Sequence, residues 1–298
     1  MTYDEFLDQL QNVRPTAVVL GEQQEDRYHL YEAWDVQRRS VTVPVPPNVL
    51  AVCSTALTAE DVLSKLQPIS STAVENIEIA TRDQGMAEWK SQRLGRITAS
   101  VFKDVYTRVQ TGNNPDRLID RIVGGSSAPD YLPALKYGHR MESIAVEKYV
   151  NVMRRRRHRQ LKVDRCGLFV CSDVPYIGAS PDRLVSCSCC GDGLLEVKCP
   201  YSCAGKPPSH EVLDYLEDND DLVKLKMSHS YYFQVQGQLA MTDRDYCDFF
   251  VFSQYGYYLE RITRDDAFWQ SLLPVLTGFF REHVAPRIAQ LNTSGQTT

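Results

Sequence analysis

The sequence predicts an α+β fold with α/β/α-like layering, in which helices flank a central sheet that is mixed but mostly antiparallel. Short apolar and β-branched runs between residues 161 and 198 indicate a series of strands. Two further runs on either side of the turn QYGY indicate a hairpin, at Asp248–Ser253 and Tyr257–Thr263. Apolar residues at helical spacing bracket both strand regions, at Tyr137–Val150, Ser230–Met241 and Asp265–His283.

Residues 1–80 are predicted to form a small α+β appendage of unknown role. Its elements are a helix at Tyr3–Val13, a strand at Ala17–Leu20 and a helix that Thr58 caps. The segment Ser70–Glu78 is predicted to be a linker into the main domain, which spans residues 81–290. Residues 291–298 are predicted to be a disordered tail.

The main domain is predicted to combine helices with short strands. Thr98 is expected to cap a helix that runs to about Val109, and another helix is expected around Asp116–Val123. The predicted strands are Leu161–Val163, Gly167–Cys171, Tyr176–Gly178, Arg183–Ser186 and Leu194–Lys198. The acidic segment Leu213–Leu225 is predicted to be irregular. Pro274 is expected to interrupt or kink the last helix, because proline removes a helical hydrogen bond.

The composition of the chain is that of an ordinary globular protein. Of its 298 residues, 43% are hydrophobic and 24% are charged, which excludes a wholly disordered or collagen-like chain. No apolar run approaches the roughly 20 residues that span a bilayer. The first residues, MTYDEFLDQLQNV, are acidic and amphipathic, which is not typical of a secretory signal. We therefore expect a soluble intracellular protein, located in the nucleus if its source is eukaryotic.

The charge of the chain is unevenly distributed. Its formal net charge is −5, yet Arg154, Arg155, Arg156, Arg157 and Arg159 follow one another around His158. An acidic protein with one dense basic segment fits an enzyme that binds an anion locally. A solvated helix end or a nuclear-import signal is an equally good interpretation of the run.

Nine cysteines do not indicate a disulfide framework, because their number is odd and nothing suggests secretion. Cys187, Cys189 and Cys190 cluster in SCSCCGDG, so a zinc or iron–sulfur site is conceivable. Their spacing is not that of paired CxxC knuckles, and reduced thiols are the favoured interpretation. Phosphate-binding, dinucleotide-binding, serine-hydrolase and zinc-hydrolase motifs do not occur in the sequence.

The most informative pattern is a pair of carboxylates on a predicted hairpin. Asp182 precedes one strand, and Glu196-Val197-Lys198 ends the next. Glu196 and Lys198 project to one face because side chains alternate along a strand, and Asp182 can lie close to Glu196. Two carboxylates beside a lysine suit divalent-metal phosphodiester hydrolysis. The alternative is an exposed hairpin with an ordinary Glu–Lys pair.

Three further features favour the catalytic interpretation. Glu142, on a predicted helix, could add a third carboxylate. Gln234 lies on a polar helix face with Tyr231 and Gln238, where a buried amide needs partners. The segment RLGRITAS places Arg93 and Arg96 before a helix start at Thr98 and Ser100, which suits an anion. Each of these residues could instead be an ordinary surface residue.

Four blocks in order, RLGRITAS, YGHRME, GASPDRLV…LLEVKCP and YYFQVQGQLAM, resemble the YqaJ-type viral recombinase and lambda exonuclease (alkaline exonuclease) family. This family belongs to the PD-(D/E)XK nuclease superfamily, and the resemblance covers about residues 81–285. It implies a restriction-endonuclease-like core and degradation of double-stranded DNA from the 5′ end with Mg²⁺ or Mn²⁺. It also implies a role in DNA recombination, a single-strand annealing protein as partner and a trimeric ring.

The resemblance also implies roles for individual residues. Asp182, Glu196 and Val197 would hold the metal, and the catalytic set would be Glu142, Asp182, Glu196, Lys198 and Gln234. Arg93 and Ser100 would bind the terminal 5′-phosphate. The DNA backbone would be contacted by Arg96, Thr98, Arg154, Arg155, Arg156 and Arg157. Asp173 matches a further acidic position loosely, and Arg183 stands where the family usually has glycine.

Three functions are thus distinguished at the level of the sequence. The first is a metal-dependent exonuclease that hydrolyses linear double-stranded DNA in the 5′ to 3′ direction. The second keeps the same site in an endonuclease of a mobile element or virus. The third is a non-catalytic nucleic-acid-binding module that uses the cysteine-rich loop as a zinc knuckle.

Overall fold

The computed structural model describes residues 17–21, 43–124, 132–158, 160–219 and 222–295. The strands of these residues are β1 (Ala17–Gly21), β2 (Ile97–Thr98), β3 (Lys162–Arg165), β4 (Phe169–Val170), β5 (Ile177–Ala179), β6 (Arg183–Cys187), β7 (Gly191–Lys198), β8 (Leu216–Asn219), β9 (Leu222–Leu225), β10 (Tyr246–Ser253) and β11 (Gly256–Thr263). The predicted helix at Tyr3–Val13 lies outside the described residues.

The α-helices of the described residues are α1 (Val49–Val52), α2 (Ala59–Lys65), α3 (Ser71–Ala80), α4 (Ala87–Arg93), α5 (Phe102–Thr111), α6 (Asp116–Gly124), α7 (Pro133–Arg155), α8 (Ser230–Thr242), α9 (Asp266–Phe279) and α10 (Ala285–Gly295). Short 3₁₀ turns occur at Ala99–Val101 and Tyr201–Cys203. Within the described part of the chain, no helix is both long enough and apolar enough to cross a bilayer.

A six-stranded mixed sheet is the centre of the molecule, with the strand order β1-β11-β10-β7-β6-β3. Within this sheet β7 and β10 pair in parallel, and the other neighbours pair antiparallel. The hairpin predicted around QYGY is β10–β11, with Ser253 opposite Gly256. The predicted α+β class and the flanked central sheet are confirmed.

The two faces of the sheet are covered by different helices, as strand alternation requires. Leu195 and Val197 of β7 pack on one face with the apolar side of α7, including Tyr149. Leu194 packs on the other face with α8 residues such as Val235. By the same alternation, Glu196 and Lys198 of β7 lie on the face that α8 covers.

The segment 43–80 shares its apolar core with the rest of the molecule. Val49 and Val62 are fully buried in one cluster with Phe102 of α5 and Ile288 of α10. The predicted linker Ser70–Glu78 lies mostly within α3, where Ile77 is fully buried and the Glu78 carboxylate accepts from the Gly167 amide at 3.0 Å. Among the described residues, no separate core marks the predicted boundary at residue 80.

One prediction of irregular structure was wrong. The acidic segment Leu213–Leu225 contains the β8–β9 hairpin, in which Leu216 and Leu225 lie opposite each other and are both buried. The final helix is not interrupted at Pro274, which lies within α9, and a π-helical turn follows at Phe280–Val284.

The predicted tail is helical as far as residue 295, within α10. This end of the chain is held in place because the Asn292 side chain donates to the carbonyls of Cys53 and Ala56, each at 2.8 Å. Residues 296–298 lie outside the described part of the chain.

A glycine brings α8 unusually close to the start of α5. A Cβ atom at Gly237 would lie 2.3 Å from the Phe102 ring, far inside van der Waals contact. Phe102 is itself fully buried, so its ring cannot move aside into solvent. The absence of a side chain at position 237 therefore sets the distance between α8 and α5.

Candidate active site

The carboxylate Glu196 lies near the end of β7, in the middle of the sheet. Glu196 and Lys198 face α8, while Val197 between them packs against α7. The Glu196 side chain is only 2% exposed. A buried carboxylate requires polar partners, because an unpaired buried charge is strongly unfavourable.

Three side chains hold both oxygens of this carboxylate. Lys198 Nζ donates to Glu196 Oε1 at 2.5 Å, and Gln234 Nε2 donates to the same oxygen at 2.7 Å. Gln238 Nε2 donates to Oε2 at 2.8 Å. Gln234 and Gln238 are one helical turn apart on α8 and therefore reach the same group. The sequence analysis named Gln234 as catalytic but gave Gln238 no such role. The spacing of four residues between the two glutamines indicates that both side chains reach Glu196.

Asp182 joins this group from the residue before β6. Its Oδ2 accepts a hydrogen bond from the Val197 amide at 2.7 Å. This bond ties the Asp182 carboxylate to the strand that carries Glu196 and Lys198. The structure therefore brings together the three residues that the sequence pattern linked.

The charges of these residues act strongly on one another. Burial raises the pKa of Asp182 well above its ordinary value, and the nearby charge of Glu196 raises it further. Burial alone would lower the pKa of Lys198, but the charges of Glu196 and Asp182 outweigh burial and raise it above its ordinary value. Lys198 therefore stays protonated at neutral pH in the metal-free site.

The donor atoms of the site suit a hard divalent cation. Asp182 and Glu196 supply carboxylate oxygens, and the backbone carbonyl of Val197 lies on the same strand. Mg²⁺ and Mn²⁺ prefer oxygen ligands of this kind. A cation here would also relieve the repulsion that raises the Asp182 pKa. The residues present thus fit Mg²⁺ or Mn²⁺ held by Asp182, Glu196 and Val197.

Glu142 of α7 lies at the edge of the site. Its Oε1 is 3.2 Å from Arg183 Nη2, and its side chain is 38% exposed. Its charge contributes to raising the Asp182 pKa, so it is near enough to act on the site electrostatically. Arg183, at the position where the resemblance leads one to expect glycine, neutralises this third carboxylate.

Arg93 and Ser100 lie together, as predicted. Arg93 Nη2 donates to Ser100 Oγ at 3.3 Å, and the guanidinium carbon lies 4.2 Å from the centre of the Trp89 ring. Arg93 is partly buried, which lowers its pKa to about 10 and leaves it charged at neutral pH. Trp89 Nε1 donates to Ser180 Oγ at 3.0 Å, two residues before Asp182. Trp89 therefore connects Arg93 to the segment that leads into Asp182.

Arg96 and Thr98 do not form part of a DNA-facing surface, contrary to the sequence prediction. Arg96 is only 4% exposed, and its guanidinium donates to the Pro175 carbonyl at 2.8 Å and to Gln92 Oε1 at 3.0 Å. Thr98 is 4% exposed and makes no side-chain cap to the helical segment that follows. Both residues are buried in the interior, and the sequence does not show the contacts that bury them.

The basic run lies away from the carboxylates. Arg154 and Arg155 end α7, and Arg157 follows them, all three exposed, whereas Arg156 is partly buried. Residues 142 and 155 are separated by about 20 Å along the helix, given a rise of about 1.5 Å per residue. Arg159 lies outside the described residues. Asp173 lies in an exposed bend between β4 and β5.

Replacing Asp182 with asparagine is expected to stabilise the protein in buffer without divalent cations. Asparagine keeps an oxygen for the Val197 amide and removes the charge that opposes Glu196. The pKa of Asp182 is raised in the folded state. Below about pH 4 the carboxyl is protonated in both the folded and the unfolded state, so Asp182 does not lower the free energy of unfolding. As the pH rises towards the folded-state pKa, Asp182 lowers the free energy of unfolding progressively.

Thermal unfolding of the wild type and of Asp182→Asn from about pH 4 to about pH 8 measures this effect. The difference in Tm should be small at the acid end and should widen with pH, and added Mg²⁺ should stabilise the wild type more than the variant. A difference that does not depend on pH would contradict the raised Asp182 pKa.

A family model described as a YqaJ-like viral recombinase domain matches residues 88–245, which is just over half of the chain. The matched span begins before Arg93 and contains Asp182, Glu196, Lys198 and Gln234. No curated protein matches the chain.

Solved structures share the fold. The alkaline exonuclease LHK-Exo from Laribacter hongkongensis is 25% identical, and the match covers 71% of this chain and 99% of that chain with a TM-score of 0.52. LHK-Exo in complex with dAMP is 27% identical, with the same coverage of both chains and the same TM-score. A SOX–DNA complex is 12% identical, with coverage of 81% and 80% and a TM-score of 0.51, a likeness that extends to the fold alone.

Proposed function

The chain belongs to the YqaJ-like viral recombinase family, and from this we propose that it is a deoxyribonuclease that degrades linear double-stranded DNA from its 5′ ends with Mg²⁺ or Mn²⁺. One observation carries the proposal: Asp182 and Glu196 converge beside Lys198, and α8 holds both oxygens of Glu196. The similarity to an alkaline exonuclease over 99% of that enzyme's length supports the same conclusion.

The side chains of the site would have different roles in hydrolysis. A divalent cation bound by Asp182, Glu196 and Val197 would make water a better nucleophile and offset charge on the phosphate. Lys198, whose ammonium lies 2.5 Å from Glu196 Oε1, would donate a hydrogen bond to the reacting oxygens. Gln234, within 3.4 Å of Lys198 Nζ, would orient the same group and the attacking water.

The Arg93–Ser100 pair would select the end of the DNA. A terminal phosphate monoester carries nearly one charge more than an internal diester, so a guanidinium distinguishes the two. The indole of Trp89 fixes the position of Arg93 on one side. Because Trp89 also bonds Ser180, the end-binding pair is connected to the segment that carries Asp182.

Digestion of matched DNA substrates tests the proposal against its alternatives. The substrates are one duplex as a closed circle, as a linear form with 5′-phosphates and as a linear form with 5′-hydroxyls, each with Mg²⁺, with Mn²⁺ and with no divalent cation. We expect metal-dependent loss of the linear forms only. Cleavage of the circle would favour an endonuclease, and binding without hydrolysis in every arm would favour a non-catalytic module.

Arg93→Ala is expected to reduce the preference for 5′-phosphorylated over 5′-hydroxyl ends by about 10-fold or more, since one charge-assisted hydrogen bond is lost. The matched control is Arg154→Ala/Arg157→Ala, which removes exposed charges at the end of α7. This control should weaken binding to every end alike and reduce the salt dependence. If Arg93→Ala keeps the full end preference, Arg93 does not bind the terminal phosphate.

The assembly of the protein remains a prediction. A trimeric ring, a single-strand annealing partner and an intracellular location follow from the resemblance and from composition. Sedimentation of the full chain with and without a linear duplex measures the oligomeric state directly.

A further inference from the structure

Four potential metal ligands meet at the tip of the β6–β7 hairpin, at the opposite end of that hairpin from Asp182. They are His158, Cys187, Cys189 and Cys190, and their ligand atoms all lie within 4.8 Å of one another. His158 Nδ1 is 3.5 Å from Cys187 Sγ, 3.2 Å from Cys189 Sγ and 3.3 Å from Cys190 Sγ. One imidazole nitrogen is thus nearly equidistant from three sulfurs.

We propose that these four residues bind one zinc ion in a structural Cys₃His site. Zinc–sulfur bonds of about 2.3 Å in a tetrahedron place the ligand atoms about 3.5–3.8 Å apart. Cys189 Sγ lies 2.9 Å from Cys187 Sγ and 3.6 Å from Cys190 Sγ, so small side-chain adjustments would complete that geometry. Four ligands from the protein leave no open position, which is typical of a structural rather than a catalytic zinc.

The local backbone presents these ligands together. Cys187 ends β6 and is buried, whereas Cys189 and Cys190 occupy the turn. Gly191, which begins β7, has a φ of 75°, a conformation that closes the turn at little cost in glycine. His158 comes from a distant part of the sequence: its amide donates to the Met153 carbonyl at 3.1 Å, which folds the chain back at the end of α7.

The ligand chemistry separates this site from the carboxylate site. Thiolates and imidazole are soft or borderline donors that select zinc, whereas Asp182 and Glu196 offer the hard oxygens that suit Mg²⁺. An iron–sulfur cluster fits less well, because its protein ligands are divided between two or four irons, whereas the four ligand atoms here converge on a single point. The described sulfurs are also well beyond the 2.05 Å of a disulfide bond.

A bound zinc would connect two elements that carry active-site residues. The hairpin bears Glu196 and Lys198, and α7 bears Glu142 and the basic residues at its C-terminal end. A metal with three thiolates and one neutral imidazole has a net charge of −1, and the guanidinium of Arg261 lies near Cys190. The site would therefore fix the end of α7, with its arginines, against the tip of the hairpin.

Metal analysis of the purified full-length protein tests the proposal. We expect about one zinc per chain in the wild type, and less than about 0.1 in Cys189→Ser and in His158→Ala. Cys171→Ser, a partly buried cysteine outside the cluster, is the matched control and should keep its zinc. Asp182→Asn should also keep its zinc, because Asp182 is not one of the four proposed zinc ligands. A loss of nuclease activity can therefore be distinguished from a loss of zinc.

Two further measurements do not depend on activity. Replacing zinc with Co²⁺ should give the visible absorption of tetrahedral, thiolate-rich cobalt in the wild type but not in Cys189→Ser. Removing the metal with a strong chelator should lower Tm by about 5 °C or more, and Zn²⁺ but not Mg²⁺ should restore it. Wild type that neither contains nor takes up zinc or cobalt, an iron–sulfur absorption band, or a Cys187–Cys189 disulfide under reducing purification would overturn the proposal.

Discussion

Glu196→Gln is expected to lower the rate of hydrolysis of linear duplex DNA by about 10³-fold or more at saturating Mg²⁺. Glutamine has nearly the same shape as glutamate but lacks the charge that attracts a divalent cation. It also leaves the Lys198 ammonium without its closest counter-charge. Binding of DNA should persist, because the residues proposed to hold phosphate are elsewhere.

The matched control is Glu260→Gln, which alters a second buried glutamate of the same sheet. Glu260 lies on β11 and is 8% exposed, and its Oε2 accepts from the Leu225 amide and the Tyr258 hydroxyl. Within the described part of the chain, its hydrogen bonds go to Leu225 and Tyr258 and not to the proposed site, so its variant should keep wild-type activity. If Glu196→Gln retains more than about a tenth of the wild-type rate, Glu196 is not a metal ligand.

Lys198→Ala is expected to reduce kcat by about 10²-fold, since it removes one preorganised positive donor from the reacting phosphate. The loss should persist at saturating Mg²⁺ and Mn²⁺, because the metal ligands remain. The ammonium also lies 4.5 Å from the centre of the Tyr231 ring, so the alanine variant loses packing as well as charge.

Metal titrations distinguish catalysis from support of the metal site. Rates are measured against Mg²⁺ concentration for the wild type, Lys198→Ala and the exposed-lysine control Lys65→Ala. A kcat that stays low at every Mg²⁺ concentration supports a direct role for Lys198. Full recovery at high Mg²⁺ would show that Lys198 only holds the two carboxylates in place.

The sequence was most informative where short-range geometry decides the outcome. Strand alternation put Glu196 and Lys198 on one face, and the predicted hairpin brought Asp182 to their strand. The fold class and the β10–β11 hairpin followed from the same period of two residues. In the segment 213–225, by contrast, acidic residues interrupt the alternation of apolar and polar residues. The strands β8 and β9 were therefore not predicted.

Long-range packing accounts for what the sequence could not predict. Nothing next to Arg96 shows that the Pro175 carbonyl will receive its guanidinium, and nothing next to Glu142 shows that Arg183 will neutralise it. His158 is 29 residues before Cys187, so the cysteine spacing did not show that an imidazole lies beside the three sulfurs. The helical residues 291–295 depend on carbonyls near residue 53, which are more than 230 residues away in the chain.

The contact between Gly237 and Phe102 places an evolutionary constraint on a position that performs no chemistry. Gly237 lies between the two glutamines that hold Glu196, and Phe102 follows Ser100 by two residues. A single added methyl group would move α8 away from α5 and so displace Gln234 and Gln238 from the carboxylate. A larger residue at position 237 therefore requires a smaller residue at position 102. We expect substitutions at the two positions to occur together in related proteins.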